Sequence, residues 1–193
     1  MCAVRQFQVL DYHSFQIRCF VNTISALCLL ITELNRLTMT STVEHSSNRK
    51  FLIVDDDNDD SSLFSEALSS IEPEVICYCA NDGFEALEKL ETLQFDNPDI
   101  IFLDLNMPGM SGWECLEKLK SMERFKDIPV IIHTTSSRRA DRELAIEKGA
   151  ICFVTKSYDF RKTMQMLKIV LEKLKIQDID SICETVYKQL HLN

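Results

Sequence analysis

Short runs of apolar residues alternate along the chain with longer segments of mixed polarity, and this alternation begins at Phe51. The apolar runs are FLIV (51–54), VICYC (75–79), IIFL (100–103), PVIIH (129–133) and ICFV (151–154). Uninterrupted runs of this length are typical of strands that are buried on both faces of a sheet. The pattern therefore predicts five such strands.

The segments between these runs carry the periodicity of amphipathic helices, with apolar residues on one face. The predicted helical faces include Phe64 and Leu68, Leu87 and Leu90, Leu116 and Leu119, Leu144 and Ile146, and Leu167 and Leu171. Asp57 and Asp60 can cap the first helix, and Gly149 can end the fourth. Five strand–helix units in sequence predict an α/β fold, a doubly wound five-stranded parallel sheet with helices on both faces.

Polar side chains follow four of the predicted strands closely. Asp55 and Asp56 come after the first strand, Asp104 after the third, Thr134 and Thr135 after the fourth, and Lys156 just after the fifth. In open parallel sheets, active groups gather past the carboxyl ends of the strands. Each residue alone has an ordinary explanation as a helix cap, a loop hydroxyl or a surface lysine, but their joint placement predicts one site.

The predicted cluster favours one kind of chemistry. Two carboxylates about 4 Å apart repel by on the order of 4 kcal/mol at an effective dielectric constant of about 20, so Asp55, Asp56 and Asp104 need a cation. Hard oxygen ligands suit Mg²⁺, which also binds phosphate oxygens. A lysine adds positive charge, and a threonine hydroxyl can hydrogen-bond a phosphoryl oxygen. The cluster therefore predicts a site for phosphoryl transfer to a carboxylate.

Charge and cysteine content narrow the class of protein. The 193 residues carry a net charge of −9, which argues against nucleic-acid binding because such proteins need a basic face. The eight cysteines form no CxxC pair and no metal-binding spacing, which favours reduced core thiols in a cytoplasmic protein. The only long apolar run, residues 20–31, is shorter than the roughly 20 residues that a membrane span needs.

The N-terminal extension, residues 1–48, is predicted to lie outside the fold because the strand pattern starts only after it. Residues 1–38 are interpreted as the product of an upstream mis-start, with Met39 as the true initiator. A membrane-associating N-terminal helix is the alternative. A secretory signal is disfavoured because no A-x-A-like cleavage site follows the apolar run.

Four segments together resemble the receiver domain of two-component response regulators. These segments are FLIVDD (51–56), PDIIFLDLNMPGMSG (98–112), PVIIHTT (129–135) and FVTK (153–156). They follow the order and spacing of that family, and the resemblance covers residues 49–176. It implies the flavodoxin-like receiver fold, with the strands in the order 2-1-3-4-5.

The resemblance also implies roles for the residues that would handle the phosphoryl group. Asp104 matches the phosphoacceptor, and Lys156 matches the lysine that pairs with the phosphoryl group. Thr134 matches the switch hydroxyl, and Phe153 stands where the family has its rotating aromatic residue.

A Mg²⁺ site is implied in the same way. Asp56 matches the direct metal ligand, and Asp55 matches a ligand that acts through a water molecule. Asp104 and the backbone carbonyl of Asn106 would complete the protein's share of the ligands.

Three positions depart from the family pattern. Ser157 stands where the family usually has a proline after a cis peptide. Because a cis bond before a non-proline residue costs about 3–4 kcal/mol, this loop is expected to run differently. Thr135 replaces the usual alanine. His133 replaces an apolar residue and is interpreted as a histidine whose hydrogen bonds are satisfied at a strand end.

The resemblance implies a stand-alone signalling switch rather than an enzyme. Expected partners are a sensor histidine kinase or a histidine phosphotransfer protein, and downstream an unknown protein or a second copy of the chain. The alternative is a phosphorelay intermediate that passes the phosphoryl group to a histidine phosphotransfer protein. A hydrolase of the haloacid-dehalogenase type is disfavoured, because its second aspartate would fall at Asn106, which cannot supply a proton.

The expected output surface is the fourth helix, fifth strand and fifth helix, roughly residues 138–175. On phosphorylation, Thr134 is expected to move toward the phosphoryl group and Phe153 to turn inward. In the tail, residues 177–193, the pattern Ser181-x-x-Glu184 predicts a short helix with a capping box. That helix is interpreted either as cover for the last long helix or as a docking or dimer surface.

Overall fold

The computed structural model describes residues 48–92 and 97–191, with the side chain of His191 excepted. The expectations for residues 1–38, for Met39 and for the first three cysteines of the chain lie outside this range. In the part described, no helix is both long enough and apolar enough to cross a membrane.

Five parallel strands form one sheet. They are β1 (Lys50–Val54), β2 (Ile76–Ala80), β3 (Ile100–Leu103), β4 (Val130–Thr134) and β5 (Cys152–Thr155). Their order across the sheet is β2-β1-β3-β4-β5, which confirms the predicted fold class and topology. Strands β1, β3 and β4 are buried almost throughout, which explains their unbroken apolar sequences.

Helices cover both faces of this sheet. One face carries α1 (Asn58–Ile71), α5 (Phe160–Lys175) and, after a short 3-10 turn, α6 (Ile182–His191). The other face carries α2 (Gly83–Glu91), α3 (Gly112–Ser121) and α4 (Arg139–Glu147). Because successive strand residues point to opposite faces, Phe51 and Ile53 belong to one apolar core and Leu52 and Val54 to the other.

Two helix details differ from the sequence interpretation. Asp57 is the N-cap of α1, but Asp60 lies within the first turn and is not a cap. In α4, Leu144 and Ile146 are exposed, and Ala145 is the residue that faces the core. Gly149 follows the end of α4 with a φ of 92°, a left-handed conformation that confirms its predicted role.

Helix α6 packs against α5 and the edge strand β5. Its residues Ile182 and Val186 are almost completely buried, so the helix covers core surface. The predicted capping box is wrong: Ser181 Oγ donates to the backbone carbonyl of Asp178 at 3.2 Å. Glu184 forms an ion pair with Lys188 on the next turn instead.

The cysteines of the described region are all free thiols, and they lie at different depths. Cys115 and Cys152 are buried, as core thiols should be. Cys79 is exposed on β2, which corrects the prediction that the cysteines are uniformly core residues.

Candidate functional site

The carboxyl ends of β1, β3, β4 and β5 meet at one edge of the sheet, and a cluster of carboxylates lies there. Asp55, Asp56 and Asp104 each offer one oxygen, and these oxygens lie within 4.8 Å of one another. Asp55 and Asp104 are buried, whereas Asp56 is exposed. Three carboxylate oxygens at this spacing form a donor set that suits a hard divalent cation.

The ammonium group of Lys156 reaches into this cluster. Its Nζ lies 2.6 Å from Oδ2 of Asp55, 2.9 Å from Oδ2 of Asp60 and 3.2 Å from Oδ2 of Asp104. Burial acts to lower the pKa of Lys156, but these carboxylates outweigh it and raise the pKa above its usual value. Lys156 is therefore a permanent positive charge at the centre of the site.

The two buried carboxylates respond to this environment in opposite ways. Burial raises the pKa of Asp55 above its usual value, and the contact with Lys156 offsets only part of that effect. Burial also acts on Asp104, but the Thr134 hydroxyl, the Lys156 charge and a backbone N–H group together lower its pKa. Asp104 is thus held as a carboxylate, the form that can act as a nucleophile.

The backbone fixes the orientation of Asp104. Its Oδ1 accepts hydrogen bonds from the backbone N–H groups of Leu105 at 2.6 Å and Asn106 at 3.2 Å. The first turn of α3 touches the same loop, where Gly112 N–H donates to the Leu105 carbonyl at 3.1 Å. A Cβ atom at Gly112 would overlap the carbonyl oxygen of Asp104, so only glycine allows this close approach.

Thr134 lies at the end of β4, completely buried beside Asp104. Its Oγ1 accepts a hydrogen bond from Nδ2 of Asn106 at 3.2 Å. The same amide lies 3.4 Å from Oγ1 of Thr135. The Asn106 side chain therefore holds both hydroxyls, a contact that the sequence interpretation missed; metal binding by its backbone carbonyl stays a prediction.

Phe153 lies in the apolar core that α2, α3 and α4 cover. Its side chain is completely buried, and the guanidinium group of Arg142 lies 5.8 Å from its ring centroid. The hydroxyl of Tyr187, from α6, donates a hydrogen bond to the Phe153 carbonyl. The turn of Phe153 on phosphorylation stays a prediction.

Two of the departures from the family pattern have clear structural outcomes. The described peptide bonds are all trans, including the one between Lys156 and Ser157, so the loop is built without a cis bond. His133 packs against the rings of Phe64 and Phe102. Its Nδ1 is buried without a hydrogen-bond partner among the described residues, so the interpretation of a satisfied histidine is wrong.

Asp60 is the site residue whose role the sequence interpretation missed. Its sequence position suggests a helix cap, but its carboxylate pairs with Lys156. A signal was present: an acidic residue in the first turn of a helix that starts directly after β1 lies close to the carboxyl edge of the sheet. Only the position of Lys156 shows which cation it meets.

Comparison with known proteins places this site in context. Residues 51–168 match the family model described as the response regulator receiver domain. Chemotaxis protein CheY1 of Helicobacter pylori is 32% identical over 124 residues, which cover 63% of this chain and 96% of CheY1. Response regulator Rcp1 of Synechocystis is 33% identical over 131 residues, which cover 65% of this chain and 88% of Rcp1.

A longer relative matches over only part of its length. The alkaline phosphatase synthesis transcriptional regulatory protein PhoP of Bacillus subtilis is 32% identical over 129 residues, or 67% of this chain. Those residues are 51% of PhoP, so the chain spans about half the length of that relative.

Solved structures show the same architecture. The phosphorylated cyanobacterial phytochrome response regulator RcpA superposes with a TM-score of 0.62 at 30% identity, over 67% of this chain and 95% of RcpA. The Mn²⁺-bound form of Rcp1 superposes with a TM-score of 0.58 at 29% identity, over 65% of this chain and 92% of Rcp1.

Proposed function

Because this chain belongs to the family of response regulator receiver domains, we propose that it is a phosphorylation-dependent switch in two-component signalling. Asp104 accepts the phosphoryl group, and the donor is a sensor histidine kinase or a histidine phosphotransfer protein. One observation carries the proposal: an ionised, backbone-oriented Asp104 lies beside Lys156, Thr134 and two further carboxylates. The phosphorylated state named for RcpA supports it.

The proposed step is a transfer between a phosphohistidine and the Asp104 carboxylate. A carboxylate oxygen attacks the phosphorus atom, an O–P bond forms, the donor N–P bond breaks and the leaving imidazole takes up a proton. Both backbone hydrogen bonds of Asp104 go to Oδ1. Oδ2 instead contacts the Lys156 ammonium group at 3.2 Å, and we assign this oxygen as the nucleophile.

Mg²⁺ is the cofactor in this proposal, and the donor set fits it. Asp56 would bind the ion directly, Asp55 through a water molecule, and Asp104 and the Asn106 carbonyl would complete the protein ligands. A bound Mg²⁺ would neutralise charge on the transferring phosphoryl group. The Mn²⁺-bound form of Rcp1 supports a divalent cation at such a site.

The switch requires the Thr134 hydroxyl to change its acceptor. At present the hydroxyl interacts with the Asp104 carboxylate, while its Oγ1 accepts a hydrogen bond from Asn106. A hydrogen bond from the hydroxyl to a phosphoryl oxygen would replace the interaction with the carboxylate and pull the end of β4 toward the phosphoryl group. The change would spread over residues 138–175, the surface that we propose for a downstream protein or a second copy of the chain. Because Phe153 is already buried, any movement of its ring would be a repacking inside the apolar core.

Phosphorylation by acetyl phosphate tests the proposal. Intact-mass spectrometry should show one phosphoryl group added to the wild type with Mg²⁺ and none with EDTA. Asp104→Asn should remain unlabelled. Asp127→Asn, the same change at an exposed aspartate, is the matched control and should label like the wild type. Equal labelling of wild type and Asp104→Asn would refute the assignment.

A further inference from the structure

A cavity lies between β5, α5 and α6, apart from the carboxylate cluster. Its volume is about 210 Å³. Residues from five elements line it, including His133, Arg142, Lys162, Met166, Val186 and Tyr187. Lys156 is the one residue that reaches both this cavity and the carboxylate cluster.

Two buried polar atoms belong to residues that line this cavity. They are Nδ1 of His133 and Nε of Arg142, and neither has a hydrogen-bond partner among the described residues. A buried polar atom without a partner costs about 1–3 kcal/mol. Two residues with such atoms line this one cavity, although His133 also lines a smaller neighbouring cavity, and we take them to indicate a place for a polar ligand group.

The charge of the cavity lining indicates whether the polar ligand group is an anion or a cation. The lining includes Arg142, Lys156 and Lys162 and contains no carboxylate, although the whole chain has a net charge of −9. Lys156 is engaged by carboxylates on its other side. Arg142 lies against the rings of Phe153 and Tyr187, and Lys162 forms no ion pair in the described part of the chain, its charge acting on Asp159 only from a distance. Their charge is available to an anion.

The rest of the lining limits the size and character of the ligand. Arg142 stacks on Tyr187, with its guanidinium carbon 5.1 Å from the ring centroid, so the cation is held in place. Val154, Met166 and Val186 give the cavity an apolar wall. Pockets for drug-sized ligands measure roughly 300–1,000 Å³, so this smaller cavity fits an anionic group on a short hydrocarbon.

We propose that this cavity binds a small amphipathic oxyanion, a carboxylate or a phosphate monoester carried on a short alkyl group. Arg142 and Lys162 pair with the oxyanion, and His133 donates a hydrogen bond to it from Nδ1. The alkyl group lies against Val154, Met166 and Val186.

The site would tie ligand binding to the position of α6. Tyr187 and Val186 of α6 form one wall, and Arg142 of α4 reaches the cavity from the opposite face of the sheet. An occupant would therefore hold α6 against the β5 edge. This proposal needs neither Mg²⁺ nor phosphorylation, so its failure is distinguishable from failure of the proposed function.

The test is a titration of the full chain in EDTA with sodium butyrate and, separately, with propyl phosphate, followed by methyl and amide NMR. Sodium chloride at matched ionic strength is the blank. Saturable shifts at Val154, Met166 and Val186 are expected with at least one probe. The probe with the higher affinity distinguishes a carboxylate ligand from a phosphate ligand.

Matched variants make the test specific. Arg142→Met, which keeps much of the side-chain length, should weaken binding at least tenfold. Arg139→Met is the control, since Arg139 lies on the same helix, is highly exposed and should leave affinity unchanged. If Arg142→Met folds poorly, Lys162→Met compared with the exposed Lys168→Met replaces it, with a weakening of about threefold expected.

Three outcomes would overturn the proposal. The first is the absence of saturable shifts with either probe. The second is an equal loss of affinity in the Arg139 and Arg142 variants, which would indicate general ion binding. The third is a set of shifts confined to residues around Asp104, which would place the anion at the phosphorylation site.

Discussion

The carboxylate cluster and the basic cavity lie on either side of Lys156, and they handle buried charge in opposite ways. In the cluster, Lys156 lies within 3.2 Å of carboxylate oxygens from three aspartates. In the cavity, Arg142 has aromatic neighbours but no carboxylate among the described residues, and His133 Nδ1 has no hydrogen-bond partner there. In the cluster, the charge of Lys156 is neutralised by carboxylates of the protein itself. In the cavity, the charge of Arg142 is left to pair with a ligand.

The difference follows from how each region is assembled. Cluster residues come directly after strands, so the sheet alone brings them together. Cavity residues come from β4, β5, α4, α5 and α6, and they meet only when α6 packs against the β5 edge. The sheet alone is enough to form the carboxylate cluster, whereas the basic cavity also requires α6.

Removing Lys156 should have the largest effect. Lys156→Met leaves Asp55 and Asp104 buried beside each other without their cation, and loss of one partner from a buried ion pair costs about 3–5 kcal/mol. Urea unfolding in EDTA should show a loss of this size, and saturating Mg²⁺ should restore part of it. Lys168→Met, at an exposed position of α5, is the control. A loss unaffected by Mg²⁺ would mean that Lys156 acts through packing rather than charge.

Weakening the packing of α6 against the rest of the domain should give the next largest loss of stability. Ile182 is completely buried, so Ile182→Ala should lower the free energy of unfolding by about 3 kcal/mol through lost apolar contact and the void left behind. Ile176→Ala, at a position that is 67% exposed, should change it by less than about 0.5 kcal/mol. Equal small effects would show that α6 is not part of the cooperative fold.

His133 should make stability depend on pH. Burial lowers its pKa from 6.5 to about 4. Between these values only the unfolded state binds the proton, so stability present at pH 7 is lost as pH falls toward 4, by up to about 3 kcal/mol.

The difference between wild type and His133→Leu isolates this contribution, because the carboxylates titrate in both proteins. Denaturant unfolding at several pH values should show that the variant lacks the wild-type loss between pH 6.5 and 4. Parallel curves for the two proteins would mean that His133 titrates normally.

The smallest effect is expected from the hydroxyl of Tyr187. Tyr187→Phe removes the hydrogen bond to the Phe153 carbonyl and should lower the free energy of unfolding by about 1 kcal/mol. Tyr158→Phe, at a fully exposed position, should have no measurable effect. If the two variants are equally stable, the hydrogen bond does not help to hold α6.

The strands and the centre of the carboxylate cluster could be predicted from the sequence alone. Strands β1, β3 and β4 were predictable because burial on both faces requires unbroken apolar runs, and the ends of the five strands shifted by at most one residue, as at Val75 and Ile76. The expectation that β2 is buried on both faces is wrong, because β2 is an edge strand and Cys79 is exposed. The convergence of Asp55, Asp104 and Lys156 was predictable because strand ends meet at one edge.

The remaining contacts depend on helix packing, which local patterns do not encode. Asp60 looked like a cap because its sequence neighbourhood cannot show that Lys156 arrives beside it. Tyr187 and Arg142 are far apart in sequence and meet only across the β5 edge. His133 was expected to be satisfied because most buried polar groups are, and its open Nδ1 emerges only from the packed structure. The N-terminal start, the cytoplasmic location and the identity of the partners remain predictions.

The central claim is that Asp104 carries the phosphoryl group, and borohydride reduction tests it most directly. The chain is incubated with acetyl phosphate and Mg²⁺, reduced with sodium borohydride and digested, and its peptides are sequenced by mass spectrometry. Reduction of an aspartyl phosphate leaves homoserine at the modified position. We expect homoserine at position 104 alone. Homoserine at position 55 or 56, or a phosphoryl group that survives reduction on another side chain, would contradict the account.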